Sequence, residues 1–149
     1  MTCRFTLAVH ILGMLAWVER ERGASATSEE LAKSINTNPV VVRRVLGDLR
    51  RAGLVDTKRG VGGGVTLAKN ASQITLRHAY EAIEQGEQLF AGYPSGPNPR
   101  CPVGNVLADY LGEVYGNAEE SMKRSLGKVT VDAMVRDVSS RLRTVKTAV

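Results

Sequence analysis

Cysteine is scarce in this chain. Cys3 and Cys101 are the only two among 149 residues, too few for a disulfide framework and unable by themselves to complete a four-ligand metal site. No metal site is expected, and such cysteine usage fits the reducing cytoplasm. Histidine is equally scarce. His10 and His78 fall in separate predicted helices, and neither has a nucleophile or carboxylate at a spacing that builds a catalytic group. No enzymatic activity is expected, and His10, set in an apolar helix, reads as a core histidine. Long hydrophobic runs are missing too. A bilayer-spanning helix takes about 20 apolar residues. The stretch from Phe5 to Val18 is interrupted by His10, runs into Glu19-Arg20-Glu21-Arg22 and has no small-residue cleavage pattern. It is expected to be a buried first helix, neither leader nor anchor.

What the chain does have is positive charge in one place. Its formal net charge is +5, yet Val40 to Arg77 alone carries eight Lys or Arg against Asp48 and Asp56. The remainder is slightly acidic, and a basic excess concentrated in this way favours a polyanionic partner.

The segment Asn38 to Gly64, NPVVVRRVLGDLRRAGLVDTKRGVGGG, explains the concentration. Asn38 caps a helix whose first residue is Pro39, where a missing N–H is harmless. Val42, Val45, Leu46 and Leu49 recur at i, i+3, i+4 and i+7 and define its buried face. Val40, Val41, Arg43, Arg44, Gly47, Asp48 and Arg51 are thereby left outside. Gly53 ends the helix. Leu54–Thr57 and Val65–Ala68 read as two strands joined by Lys58-Arg59-Gly60-Val61-Gly62-Gly63-Gly64. Upstream, Thr27 and Glu30 form a capping box for a short helix that points Leu31, Ala32 and Ile35 inward. A helix–turn–helix closed by such a hairpin is a winged helix. The glycine run is not a nucleotide-phosphate loop, because a strand follows it and no Lys-Ser/Thr pair ends it.

Arginines in the first turns of the second helix suit bidentate recognition of guanine, and Val40 and Val41 suit contact with thymine methyls. Arg59 in the hairpin suits a narrow minor groove. Arg50 and Arg51 are equally placed to complement the helix dipole. The expected DNA contacts are Thr27, Ser28, Asn38, Val40, Val41, Arg43, Arg44, Arg51, Lys58, Arg59, Gly62 and Gly63.

Downstream, Thr75 caps a helix from Leu76 to about Gln85, and a Pro- and Gly-rich connector follows. Val103 to Leu126 then forms a helix about 36 Å long at ~1.5 Å per residue, more than one small winged domain needs. Its apolar stripe, with Gly112 and Gly116 four residues apart, reads as a homodimer seam of Val103, Leu107, Tyr110, Leu111, Gly112, Val114, Gly116, Ala118 and Met122. An intramolecular core helix is the competing reading. A last helix runs from Val131 to about Leu142. Cys101 precedes Pro102 at the start of the long helix, near a positive dipole end that raises thiol reactivity, and is a candidate redox sensor.

The fold class expected is mostly α with a small β-hairpin: a winged helix–turn–helix plus a long C-terminal dimerisation helix. Residues 1–86 form the DNA-binding domain, 87–102 the connector, and 103–149 the dimerisation and C-terminal helices. The partners expected are double-stranded DNA and a second copy of the chain, with no membrane and with a small-molecule or oxidant signal. The competing function is a dimeric protein-interaction module whose basic face is incidental.

The segments RFTLAVHIL, NPVVVRRVLGDLRRAGLV and RGVGGGVTLAKNASQITL, and the long helix after Pro102, resemble the Rrf-two family of bacterial winged-helix regulators. LFAGYPSGPNPRCPVG is similar to its cluster-free YwnA-like subset. The resemblance implies a dimeric repressor or activator whose long helices cross at the dimer interface. It places Val40, Val41, Arg43 and Arg44 at recognition-helix contact positions and Arg59 at the minor-groove position of the wing. Cluster-binding members carry three cysteines in the loop before the long helix. This chain has Cys101 alone there, so no iron–sulfur cluster or other cofactor is expected.

Overall fold

A computed structural model describes residues 3–147, so the outermost residues of the expected first and third segments, 1–2 and 148–149, lie outside the described residues. The first helix, α1 (Arg4–Arg22), runs through the centre of the molecule. Ala8, Ile11, Leu12 and Leu15 are sealed from solvent, and Phe5 meets Tyr80 edge-on at 5.8 Å. A helix apolar on nearly every side needs neighbours on most sides, and four of the later helices and the hairpin supply them, leaving Val9, Met14 and Trp17 half-buried. His10 departs from the expectation: it lies on the exposed side of α1, its Nε2 3.0 Å from Ser34 Oγ.

Helix α2 (Ser28–Ile35) starts at the anticipated capping box, with Thr27 Oγ1 accepting the Glu30 N–H and Glu30 accepting the Thr27 N–H at 2.8 Å. Helix α3 (Pro39–Arg51) starts at Asn38, whose side chain accepts the Val40 N–H at 2.8 Å. Val42, Val45, Leu46 and Leu49 are buried as their spacing predicts. Gly53 then turns the chain at φ +72°. Asp48 corrects the outward set. It is 5% exposed, pairs with Arg4 of α1 and Arg51 of α3, and accepts Gln85 Nε2 at 3.2 Å. Helical spacing placed it on the edge of the polar face, and its two cationic partners drew it inward.

Strands β1 (Val55–Lys58) and β2 (Gly64–Leu67) pair antiparallel with Val55 opposite Leu67 and Lys58 opposite Gly64. Each stands one residue off the expected range, yet the pairing continues past the strand ends, where the Leu54 carbonyl accepts the Ala68 N–H at 3.0 Å. Ala26, expected in a loop, forms an antiparallel bridge with Val65 through bonds of 3.1 and 2.7 Å. The hairpin base is thus fastened to the segment that launches α2.

A short 3-10 turn, Ala71–Gln73, leads to α4 (Leu76–Glu84), capped by Thr75. His78 Nδ1 accepts the Thr75 N–H at 3.1 Å, a capping role. Gln85 closes the helix in the left-handed region at φ 42°. After the connector, α5 (Pro102–Leu126) has no buried residue, which removes the core-helix reading. Helix α6 (Val131–Thr147) is longer than expected. It folds back through a Thr75–Thr130 bridge and a 2.8 Å bond from the Val131 N–H to Ile74, placing Val131 and Val135 in the same core as α1. The core therefore joins α6 to the winged domain and leaves α5 outside. Among the described residues no helix is long and apolar enough to cross a membrane.

Asp48 fixes α3 to α1 and to the end of α4, so Asp48→Ala is expected to lower unfolding free energy by about 1–3 kcal/mol. That is less than the ~3–5 kcal/mol typical of breaking a buried pair, because Arg4 and Arg51 are 42% and 65% exposed and regain water. Urea denaturation should register the loss as a lower midpoint at unchanged slope.

Candidate nucleic-acid interface

The face of α3 that carries Arg43, Gly47 and Arg50 and the hairpin between β1 and β2 stand on one side of the molecule, with α2 beside them. Together they border a cleft of about 490 Å³, lined among others by Thr27, Ser28, Arg43, Lys58, Arg59 and Gly63. Half of the expected DNA contacts thus come together at this cleft. Asn38, Val40, Val41 and Arg44 lie at the adjoining helix start, with Val40 49% exposed. Gly62 lies at the exposed tip.

The arginines divide by helical face. Arg43, Gly47 and Arg50 share the cleft face, and Arg50 donates to Thr57 Oγ1 of β1 at 3.4 Å. Arg44, Asp48 and Arg51 share the next face, where Asp48 holds Arg51. Sequence reading favoured Arg51 for DNA and passed over Arg50. Their spacings carried the signal, since Arg50 lies seven residues after Arg43 and Arg51 three after Asp48. Arg43 donates to Glu29 at 2.6 Å across α2 and α3. The Glu29 carboxyl is held below its usual range, first by its own backbone N–H at the helix start and then by Arg43. Both side chains are more than half exposed, so the pair contributes little and a phosphate can displace Glu29. Arg44, Lys58 and Arg59 are exposed and enter no ion pair among the described residues.

The glycines of the hairpin have local reasons for being there. Gly60 and Gly62 sit at φ +93° and +73°. A Cβ on Gly63 would lie 2.3 Å from the Lys58 carbonyl oxygen, and one on Gly64 2.7 Å from Ser25 Oγ. The turn thus demands glycine before any ligand is considered. It carries Arg59 and the fully exposed Val61 at its tip.

The expected dimer residues separate onto different faces of α5. Val103, Leu107, Tyr110 and Val114, joined by Val106, form an exposed apolar stripe, at 72, 43, 62, 43 and 69% exposure respectively, with Ala118 continuing it. Leu111, Gly112 and Gly116 turn away from that stripe and line a cavity under the connector, while Met122 is half-buried. The glycine pair therefore does not belong to the stripe, because four-residue spacing fixes a shared face without saying which one. Cys101 caps α5, its Sγ accepting the Gly104 N–H at 3.3 Å. Among the described residues, no three or more His, Cys, Asp or Glu side chains are grouped to hold a metal ion.

The family model described as iron-dependent transcriptional regulator, Rrf2, matches residues 1–137. The HTH-type transcriptional regulator YwnA of Bacillus subtilis (strain 168) is 35% identical over 139 residues, covering 93% of this chain and 96% of that protein. Two solved structures share the fold. IscR of T. potens superposes with a TM-score of 0.69 at 20% identity, covering 93% of this chain and 87% of its own. CymR (YrzC), the global cysteine regulator of B. subtilis, does so at 0.67 and 18% identity, covering 91% and 95%. Of the two cysteines in the sequence, Cys101 alone lies beside the connector, where its Sγ caps α5. With its winged helix, its basic cleft and a family match along nearly its whole length, the chain belongs to the Rrf2 family of DNA-binding transcriptional regulators, which are not enzymes.

Proposed function

We propose that this chain acts in the cytoplasm as a homodimer that binds a palindromic operator and represses transcription by occupying it. Repression by occupancy needs nothing beyond DNA binding itself. The observation that carries the reading is the convergence of Arg43, Arg50, Lys58 and Arg59 on one cleft between α3 and the hairpin. In this reading α3 enters the major groove, with Val40, Val41 and Arg44 at the base edges. Arg59 enters the neighbouring minor groove, and Thr27 and Ser28 at the start of α2 meet phosphates. The protein works without an iron–sulfur cluster.

The exposed stripe on α5 supports the dimer, since contiguous apolar surface on a helix otherwise left in water is the mark of an interface. Two copies joined there present two α3 helices to half-sites about 34 Å apart. A thiol signal is supported by the half-buried Cys101 at the start of this same helix, where oxidation would shift the α5 seam and the hairpin spacing.

Three measurements test these assignments. Arg59→Ala should weaken operator binding and reduce the slope of log affinity against log salt by about one unit, whereas Arg51→Ala should leave the slope unchanged and lower stability instead. An unchanged slope for Arg59→Ala removes the hairpin from the interface. Tyr110→Asp should convert the dimer to monomer in sedimentation equilibrium without loss of helicity, because Tyr110 is 62% exposed within the subunit. Under peroxide, the parent protein should lose DNA affinity while Cys101→Ser keeps it. Equal loss by both eliminates the thiol.

A further inference from the structure

The connector after α4 and the middle of α5 enclose a cavity of about 440 Å³, within the ~300–1,000 Å³ of typical small-molecule sites. Its walls are unusually aromatic for this chain. Of two Phe, four Tyr and one Trp in the sequence, one Phe and two Tyr gather here. Phe90 of the connector stacks on Tyr115 of α5 with centroids 5.0 Å apart and planes 23° from parallel. Phe90 and Tyr93 nonetheless remain 40% and 43% exposed, so they offer apolar surface that a guest would take from water.

The floor is bare backbone at Gly112 and Gly116. A mid-helix glycine costs about 1 kcal/mol relative to alanine. Neither residue has a positive φ, and a Cβ on either would meet no atom within 4 Å. Nothing in the subunit's own packing or backbone geometry requires these glycines. Their missing side chains leave a flat patch one helical turn long beside the aromatic wall, a shape that accepts a planar ring.

Gln88 and one charged residue, Glu119, supply polar groups beside the two tyrosines. Glu119 receives Lys123 Nζ at 2.8 Å on Oε1, which balances its charge and holds its carboxyl below the usual range. Oε2 accepts, among the described residues, only the Leu89 N–H at 3.5 Å, a long bond that leaves capacity for another donor. A carboxylate already matched to a lysine favours a neutral donor over a further ion.

We propose that this cavity binds a neutral, planar aromatic molecule bearing an N–H or O–H donor, of the indole or phenol class, and that its occupancy alters DNA binding. The second half rests on the regulator reading above. Gln85 closes α4 just before the connector; its Nε2 donates to Asp48 Oδ1 at 3.2 Å, and Asp48 in turn holds Arg51 of α3. A guest that fixes the connector thereby biases the seating of the helix that faces DNA.

Calorimetry on the full chain tests the site with indole, 1-methylindole, which lacks the donor, and cyclohexanol, which is not planar. Saturable indole binding is expected, with 1-methylindole weaker by about tenfold, the scale of one hydrogen bond, and no binding of cyclohexanol. Gly116→Leu should abolish the indole signal while its helicity and melting temperature stay at or above the parent's, since leucine is the better helix former. Absence of indole binding, or equal binding by Gly116→Leu, overturns the site. A separate titration measures affinity for DNA from upstream of the protein's own gene with and without saturating indole. A fivefold or larger change upholds the effector role, and an unchanged affinity overturns it. A protein that binds indole but no DNA would keep the cavity and refute the regulator reading, so the two failures are distinct.

Discussion

A helix that offers arginines to a polyanion must be held in place by something other than those arginines. In this protein the holding group is Asp48. Among the described residues it is the one polar or charged side chain that is buried, and it joins α3, α1 and the end of α4 through Arg51, Arg4 and Gln85. Removing a carboxylate from water is unfavourable unless cations and donors surround it. Meeting that condition fixes the rotation of α3 about its axis. With Asp48 and Arg51 occupied on one face, Arg43 and Arg50 are carried to the neighbouring face, which opens on the hairpin cleft. The Ala26–Val65 bridge does the corresponding service for the hairpin, so both DNA-facing elements are tied to one core.

Helix α5 obeys a different constraint. It contributes no buried residue, yet it carries apolar side chains on more than one face. An amphipathic helix has one apolar face to cover, and α5 has two surfaces with different character. The stripe through Val106 and Tyr110 is continuous and open to solvent. The opposite side is hollowed by two glycines and roofed by the connector. A partner helix suits the first surface and a small guest suits the second. The two proposed roles need not compete for the same atoms, because the stripe and the cavity use different residues of the helix.

How much of this could be read from the sequence depended on the range of the interactions involved. The capping box of α2, the Asn38-Pro39 start of α3 and its buried valine and leucine set are local patterns, and each appears in the fold. The strand ends stand one residue from expectation, while the pairing itself, Thr57 opposite Val65, is the one the hairpin spacing implies. Asp48 was misplaced because its partner Arg4 lies 44 residues away and no periodicity reports such a pair. The apolar neighbours of His10 in sequence point to a core residue, although its own position on α1 faces Ser34 at the surface. Of the contact set, the cleft residues were legible as a basic cluster. The division between Arg50 and Arg51, and the face occupied by Gly112 and Gly116, required knowing what each helix packs against.

The connector is where the chain's scarcity of cysteine meets the iron of its family's description. A cluster demands several thiolates converging on one point, whereas the stretch between Gln85 and Pro102 supplies one sulfur and commits it to a helix cap. What the stretch does supply is Phe90 and Tyr93, brought over a helix face from which side chains have been deleted. Thiolates bind through directed coordination bonds, and stacked rings bind by area and shape. A segment holding rings in place of thiolates keeps its position between α4 and α5, and with it the leverage of that position, and the proposed guest is one that such rings recognise by area and shape.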